Sequence, residues 1–311
     1  MAADCACTIP LWGTKSRVAD DRLISGAEQP PQSGPRPGRV QLPWRRGFDV
    51  RPLLLPLSVL GAIFVVAAFV PPHGYDLRLN IAVDWRDPYQ VAASGQFPYR
   101  YAPPLALLLA PFGAMPLAAA TLLWLAMQLA GLWYIGRKWF LVLVIYPPVW
   151  LDLVYGNIVI FLAVAIVASF RRPAAWAFPL LTKVTPGIGV LWFPVRREWR
   201  AFAIAMATIA GAVLVSLLLQ GWQVWADWFD VLRSSAGLPL PGDALQVPLL
   251  PRLIAAALVV SWGAATDRRW TVPVAATMAM PTLWVIALTP LVALASPVFR
   301  RTPDDDVLAV A

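Results

Sequence analysis

The stretch LLTKVTPGIGVLWFPVRREW, residues 180–199, places a lysine, Lys183, inside apolar chain and then closes on Arg196 and Arg197. A single span between the arginine pairs at 171–172 and 196–197 would put one pair on each side of a bilayer, against the preference of basic residues for the cytoplasmic face. Two half-spans broken around Lys183 and Pro186 keep both pairs on one side, and proline supplies the break because it lacks the N–H and crowds the preceding turn. Residues 173–195 are therefore expected to double back, with Lys183 near the apex.

The rest of the chain has the same character. Of 311 residues, 59% are hydrophobic and 14% charged; the uncharged runs match the ~20 residues that a bilayer-crossing helix requires, which excludes the soluble classes. The net charge of +8 comes from clusters beside apolar runs: Arg45, Arg46 and Arg51; Arg137 and Lys138; Arg171 and Arg172; Arg196, Arg197 and Arg200; Arg268 and Arg269; Arg300 and Arg301. Such clusters report topology; nucleic-acid binding needs them spread over one face, so no nucleic-acid partner is expected.

With all six clusters inside, the chain threads as an all-α, polytopic transmembrane helical bundle of about ten spans, short hairpin half-spans included. Residues 1–50, rich in Pro, Gly and Arg, read as a disordered basic cytoplasmic tail. Residues 51–300 form the transmembrane domain and 301–311 a second cytoplasmic tail. A retained first span over about 53–70 runs outward, 71–115 make a large outer loop, and about 116–135 return. Two short helices then turn outward at PPVWLDLVYGN, the Lys183 hairpin follows, and 201–220 run out again. Trp222, Trp225 and Trp228 suit the outer headgroup level. Residues 248–265 return, and the run from 272 to 299, broken at Pro281 and Pro290, reads as a last hairpin.

This threading brings Lys183, Asp152, Asn157 and the loop bearing Asp76, Asp84 and Asp87 to one outer side. Ionisable groups in a membrane protein are costly unless they face a polar cavity, so they are functional candidates. Cys5 and Cys7 sit together in the tail, no His/Cys/Asp/Glu cluster has metal-ligand spacing, and no glycine-rich phosphate loop precedes a helix. Neither a metal nor another cofactor is expected.

The blocks YDL at 75–77, DPY at 87–89, YRYAPPLALLLAPFGAMPL at 99–117, PPVWLDLVYGN at 147–157 and LLTKVTPGIGVLWFPVRREW stand in an order that resembles the GT-C class of membrane glycosyltransferases, and within it glycosyltransferase family 87, the polyprenyl-phosphate-mannose-dependent enzymes. The resemblance implies a polyprenyl-phosphate sugar donor, a glycolipid or glycan acceptor, membrane lipids as partners, and an active site facing outward in the cell membrane. Sugar transfer from a lipid phosphate needs a base at the acceptor hydroxyl and cations or amides at the departing phosphate. Asp76 is the expected base, with Asp84 the second candidate. Lys183 is the expected phosphate partner, with Asn157, Arg100 and Asp152 as further substrate-binding candidates.

The chain departs from the resembled pattern twice: Asn80 stands where a tyrosine is common four residues after the aspartate, and MAMPTLW at 278–284 carries no histidine. Each candidate also has a structural reading. Asp76 could cap a loop helix, Lys183 could snorkel to the interface, and Arg100 could face lipid headgroups. A secondary transporter or lipid flippase, and a non-catalytic prenyl-phosphate-binding relative, are the alternative functions, since broken helices with charges also build transport paths.

Overall fold

The computed structural model describes residues 74–89, 99–235 and 247–299, all within one unit, Val50–Ala311. Both expected tails and the first span lie outside the described residues. Regular structure among the described residues is helical throughout, with no strand.

The expected outer loop is built from two helices, α1 (Tyr75–Ile81) and α2 (Pro103–Gly113), and a third, α3 (Leu117–Gly136), follows it. At 1.5 Å per residue the 20 residues of α3 reach about 30 Å, the thickness of a bilayer core. It breaks at Gly136 (φ −148°, ψ 63°), where a 3₁₀ turn over Arg137–Trp139 leads into α4 (Phe140–Ile145). Then come α5 (Pro147–Tyr155) and α6 (Val159–Ser169), whose axes bend by 117° at their junction. The expected turn at PPVWLDLVYGN is thus largely helix: Pro147 and Pro148 open α5, where a missing N–H is harmless, and only Gly156–Ile158 reverse the chain.

The Lys183 hairpin forms. Its first arm is a 3₁₀ turn (Pro173–Trp176) leading into α7 (Ala177–Thr182); its second is a 3₁₀ segment (Thr185–Leu191) followed by α8 (Trp192–Val195). The arms pack antiparallel, Gly187 against Leu180 and Gly189 against Trp176, and any Cβ at either glycine would strike the opposing side chain. After it α9 (Trp199–Gln220) runs the full width, α10 (Trp222–Ser235) lies beyond it, and α11 (Leu249–Ala265) returns. A second hairpin pairs α12 (Thr271–Met278) with a 3₁₀ segment (Val285–Ala295). Among the described residues two helices are long and apolar enough to cross a membrane, the α3–α4 stretch Leu117–Ile145 and α9, and α5 with α6 form a third, bent candidate.

These segments connect the same two ends. At one end Phe170, just past α6, meets the rings of Trp192 (5.5 Å) and Phe299 (5.2 Å), and the Arg269 guanidinium lies 5.8 Å over the Phe170 ring. Arg196 joins the α8–α9 and α11–α12 turns there, bonding Glu198 and Asp267, both at 2.8 Å. A Cβ at Gly136 would lie 3.2 Å from that of Ala295, which brings the Arg137–Lys138 turn to this end too. Four of the six basic clusters therefore share one end, as the threading requires; the other two lie outside the described residues. The opposite end gathers the starts of α6 and α11, the apices of both hairpins, and the loop carrying Asp76.

The core runs between the ends along α6, where Val159, Ile160, Leu162, Ala163 and Ile166 are fully buried. By contrast α9 buries little and leaves Leu214, Leu218 and Leu219 facing outward, which in a lipid-facing helix is the low-energy arrangement. One expectation fails here. Trp225 and Trp228 are buried, packed in a cluster with Tyr89, Tyr99 and Ala102, and their indole N–H groups bond Ser216 Oγ and the Arg100 carbonyl, both at 3.1 Å. Only Trp222, 69% exposed, suits the headgroup belt; an indole whose N–H finds a partner inside gains by burying its ring.

Gly156 tests the corner between α5 and α6. It sits at φ 67°, and a Cβ there would lie 2.8 Å from that of Leu77 on α1. The left-handed conformation alone costs an L-residue about 1–2 kcal/mol, and relief of the contact would push α1 off the corner. Gly156→Ala is therefore expected to lower the thermal unfolding midpoint of the detergent-solubilised protein, and an unchanged midpoint would contradict this packing.

Candidate active site

The site begins with the corner. The amides of Gly156 and Asn157 both donate to the Asp152 carbonyl, the latter at 3.0 Å, which ends α5. From α3, the fully buried Gln128 donates its Nε2 to the Asn157 carbonyl at 2.8 Å. The amide of Gly74 donates to the Val154 carbonyl at 2.7 Å, fastening the start of α1 to the same corner. The Asp152, Val154 and Asn157 carbonyls at the bend are thereby satisfied within the protein, as irregular backbone at membrane depth requires.

With α1 fixed, Asp76 in its first turn accepts a hydrogen bond at 2.6 Å on Oδ2 from Asn157 Nδ2. The Asn157 amide is oriented by its own oxygen, which accepts from the Ile158 N–H at 2.7 Å. Burial pushes the Asp76 carboxyl above its ordinary range, while the Asn157 bond and the Lys183 charge pull it partly back. A partly buried carboxylate so tuned is a stronger base than one in water.

Lys183 arrives from the other side, at the hairpin apex. Its amide closes α7 by bonding the Pro179 carbonyl at 3.1 Å, and the next residue, Val184, takes φ 48° and ψ −63° as the centre of a turn in which the Thr185 amide reaches back to the Lys183 carbonyl. This three-residue turn is strained, the more so with a β-branched residue at positive φ. The ammonium lies 5.7 Å over the ring of Tyr101, within cation–π range, and interacts electrostatically with both Asp76 and Asp152. Among the described residues it forms no ion pair within 4.0 Å, so its donors remain available to a ligand.

Asp152 is fully buried on α5, and neither carboxylate oxygen meets a donor with hydrogen-bond geometry. The amides of Val159 and Ile160, at the start of α6, face it together with Lys183. When ionised, Asp152 balances the lysine and would repel a phosphate, so a direct substrate contact does not suit it. The remaining expected residues stand apart. Asp84 is exposed in the loop after α1, where Oδ1 accepts from the Arg86 amide at 2.9 Å, a turn-forming contact. Arg100 is exposed, and no described contact ties its guanidinium to the Asp76–Lys183 group.

Two residues in this region were not singled out from the sequence. Tyr101 bonds the side chain of Asn80, one helical turn after Asp76, and accepts the Tyr89 hydroxyl on its carbonyl at 2.7 Å. Burial, with Asp76 and Asp152 nearby, pushes its phenol far up, so it acts as a donor. Arg252 on α11 is buried and donates to the carbonyls of Val247, Met278, Met280 and Pro281 at 2.7–3.1 Å. It fixes the apex of the second hairpin, whose Met280 and Ile286 pack on Val159 at the corner. A lone arginine within an apolar run was the available signal; for Tyr101 no signal set it apart from the other tyrosines of its block.

The group as a whole offers a carboxylate acceptor, an amide that orients it, and an uncommitted ammonium beside it. No cluster of three or more His, Cys, Asp or Glu capable of holding a metal occurs among the described residues. Comparison with known proteins agrees with the order of blocks. A polyprenol-phosphate-mannose-dependent alpha-(1-2)-phosphatidylinositol mannoside mannosyltransferase of Mycobacterium tuberculosis (strain ATCC 25618 / H37Rv) is 29% identical over an alignment covering 44% of this chain and 41% of that protein, so the match spans less than half of either. No solved structure matches the chain. Residues 99–311, more than half the chain and including Asp152, Asn157 and Lys183 but not Asp76, match glycosyltransferase family 87, and on that match the chain belongs to this family.

Proposed function

We propose that the protein transfers a sugar, mannose or a similar one, from a polyprenyl phosphate to a hydroxyl of a lipid or glycan acceptor. The observation that carries this reading is the meeting of Asp76, held by Asn157, with the Lys183 ammonium, which forms no ion pair within 4.0 Å among the described residues. Asp76 takes the acceptor hydroxyl proton as the acceptor oxygen bonds to the anomeric carbon. The bond from that carbon to the phosphate oxygen breaks, its electron pair stays on the oxygen, and Lys183 balances the charge that grows there. Asn157 and Tyr101 hold the two partners in place. The name of the mycobacterial relative supports a polyprenol-phosphate-mannose donor. Segregation of the described basic clusters to the opposite end supports a site facing outward, with about ten spans over residues 51–300, cytoplasmic tails at 1–50 and 301–311, and 71–115 as the outer loop.

Transfer measured in proteoliposomes with polyprenyl-phosphate mannose and a glycolipid acceptor tests the proposal. Glycosidic-bond formation supports it, whereas movement of the donor across the bilayer without bond formation overturns it in favour of a flippase. The pH profile adds a sign. Asp76 acts as base only when ionised, so transfer should be lost as pH falls through its raised pKa, at a higher pH than an ordinary aspartate would give. Asn157→Ala removes a bond that lowers this pKa and should move the acid limb to still higher pH.

A further inference from the structure

A second feature lies a full α9 length from Asp76, about 33 Å for 22 residues at 1.5 Å per rise. An open groove of about 510 Å³ at the basic end is lined by Pro173, Arg197, Glu198, Trp199, Arg200 and the first turns of α9 at Ala201 and Ile204. Its charges are sorted. Arg196 is engaged by Glu198, Asp267 and the Ala264 carbonyl and stacks on Trp192, so both carboxylates that could repel an anion are already paired. Arg197 and Arg200 are exposed and form no ion pair among the described residues. Arg197 takes φ 59°, a left-handed conformation uncommon outside glycine. Arg171 and Arg172 precede the groove's Pro173 and are exposed as well.

The groove's other wall is apolar and continues into lipid-facing surface. Trp199 is 60% exposed and Ile204 40% exposed, and beyond them α9 presents Leu214 and Leu218 outward. A ligand complementary to this surface has an anionic head for two guanidinium groups and a hydrocarbon tail for the α9 face. Arginine forks match phosphate oxygens, and basic residues beside a bilayer attract anionic lipid heads.

We propose that this groove binds the phosphate head of an anionic membrane phospholipid, its acyl chain lying along α9, in the leaflet opposite Asp76. The site is independent of the sugar-transfer reading, because none of its residues touches the Asp76–Lys183 group.

The test uses the full chain in a neutral detergent, titrated with phosphatidylglycerol and read by native mass spectrometry and thermal unfolding. Phosphatidylglycerol should remain bound and raise the unfolding midpoint, while phosphatidylcholine should do neither. Arg197→Gln with Arg200→Gln should weaken phosphatidylglycerol binding about tenfold or more, leave the lipid-free midpoint unchanged, and leave sugar transfer in detergent intact. The pair Arg137→Gln and Lys138→Gln, at the same end outside the groove, should retain binding. Equal loss in both double variants would mean a diffuse surface field, and equal stabilisation by inorganic phosphate would mean an anion site without a lipid; either result overturns the proposal.

Discussion

Asp76→Asn is expected to lower transfer by about 10²–10⁴-fold in kcat, the range that a positioned general base contributes, or about 3–5 kcal/mol of barrier. The substitution keeps the shape and can still accept the Asn157 bond of 2.6 Å, so the unfolding midpoint should not fall. KM for the donor should change little, because the proton in question belongs to the acceptor. Single-turnover transfer with saturating donor is the decisive measurement. Activity within a few-fold of wild type would remove Asp76 from the base role, and Asp84→Asn, placed in an exposed turn, serves as the control that should retain transfer.

Lys183→Met should cost about 10²–10³-fold in kcat/KM, comparable to removing one preorganised donor from a developing anion. Methionine keeps the unbranched chain against Tyr101 but deletes the charge. This variant has a second consequence, because Lys183 is the cation facing both Asp76 and the buried Asp152. Its loss leaves a buried carboxylate uncompensated, which is costly until that group binds a proton. The single variant should therefore lose stability as well as transfer, and Lys183→Met combined with Asp152→Asn should recover stability without recovering transfer. Recovery of both would show that the lysine serves only to balance Asp152, and the phosphate role would then fall.

The contrast between Asp76 and Asp84 shows what could be read from residues alone. Both are aspartates in one polar loop, eight positions apart, and no propensity or charge rule separates them. What separates them is the Asn157 amide, 81 residues further along the chain, which reaches Asp76 because Gly74 is bonded to Val154 and Gln128 holds the corner. Trp225 and Trp228 make the same point from the other direction. As sequence they resemble headgroup-belt residues, and only Ser216 and the Arg100 carbonyl, partners brought close by folding, draw their rings inside.

The amino-acid order by itself determined that the chain is an apolar helical protein, that basic clusters divide it into segments, and that residues 173–195 reverse near Lys183. These follow from hydropathy, proline and charge, which act locally and leave their mark in a few consecutive residues. Tertiary structure alone decided which charged groups meet. The Asp76–Asn157 bond, the Tyr101 ring beneath Lys183, the burial of Asp152 and the Arg252 clamp each join segments 20 to more than 80 residues apart. Hydrogen bonds and cation–π contacts act over a few ångströms, so which ones form depends on how the helices pack, and that geometry has no signature in any short stretch of chain.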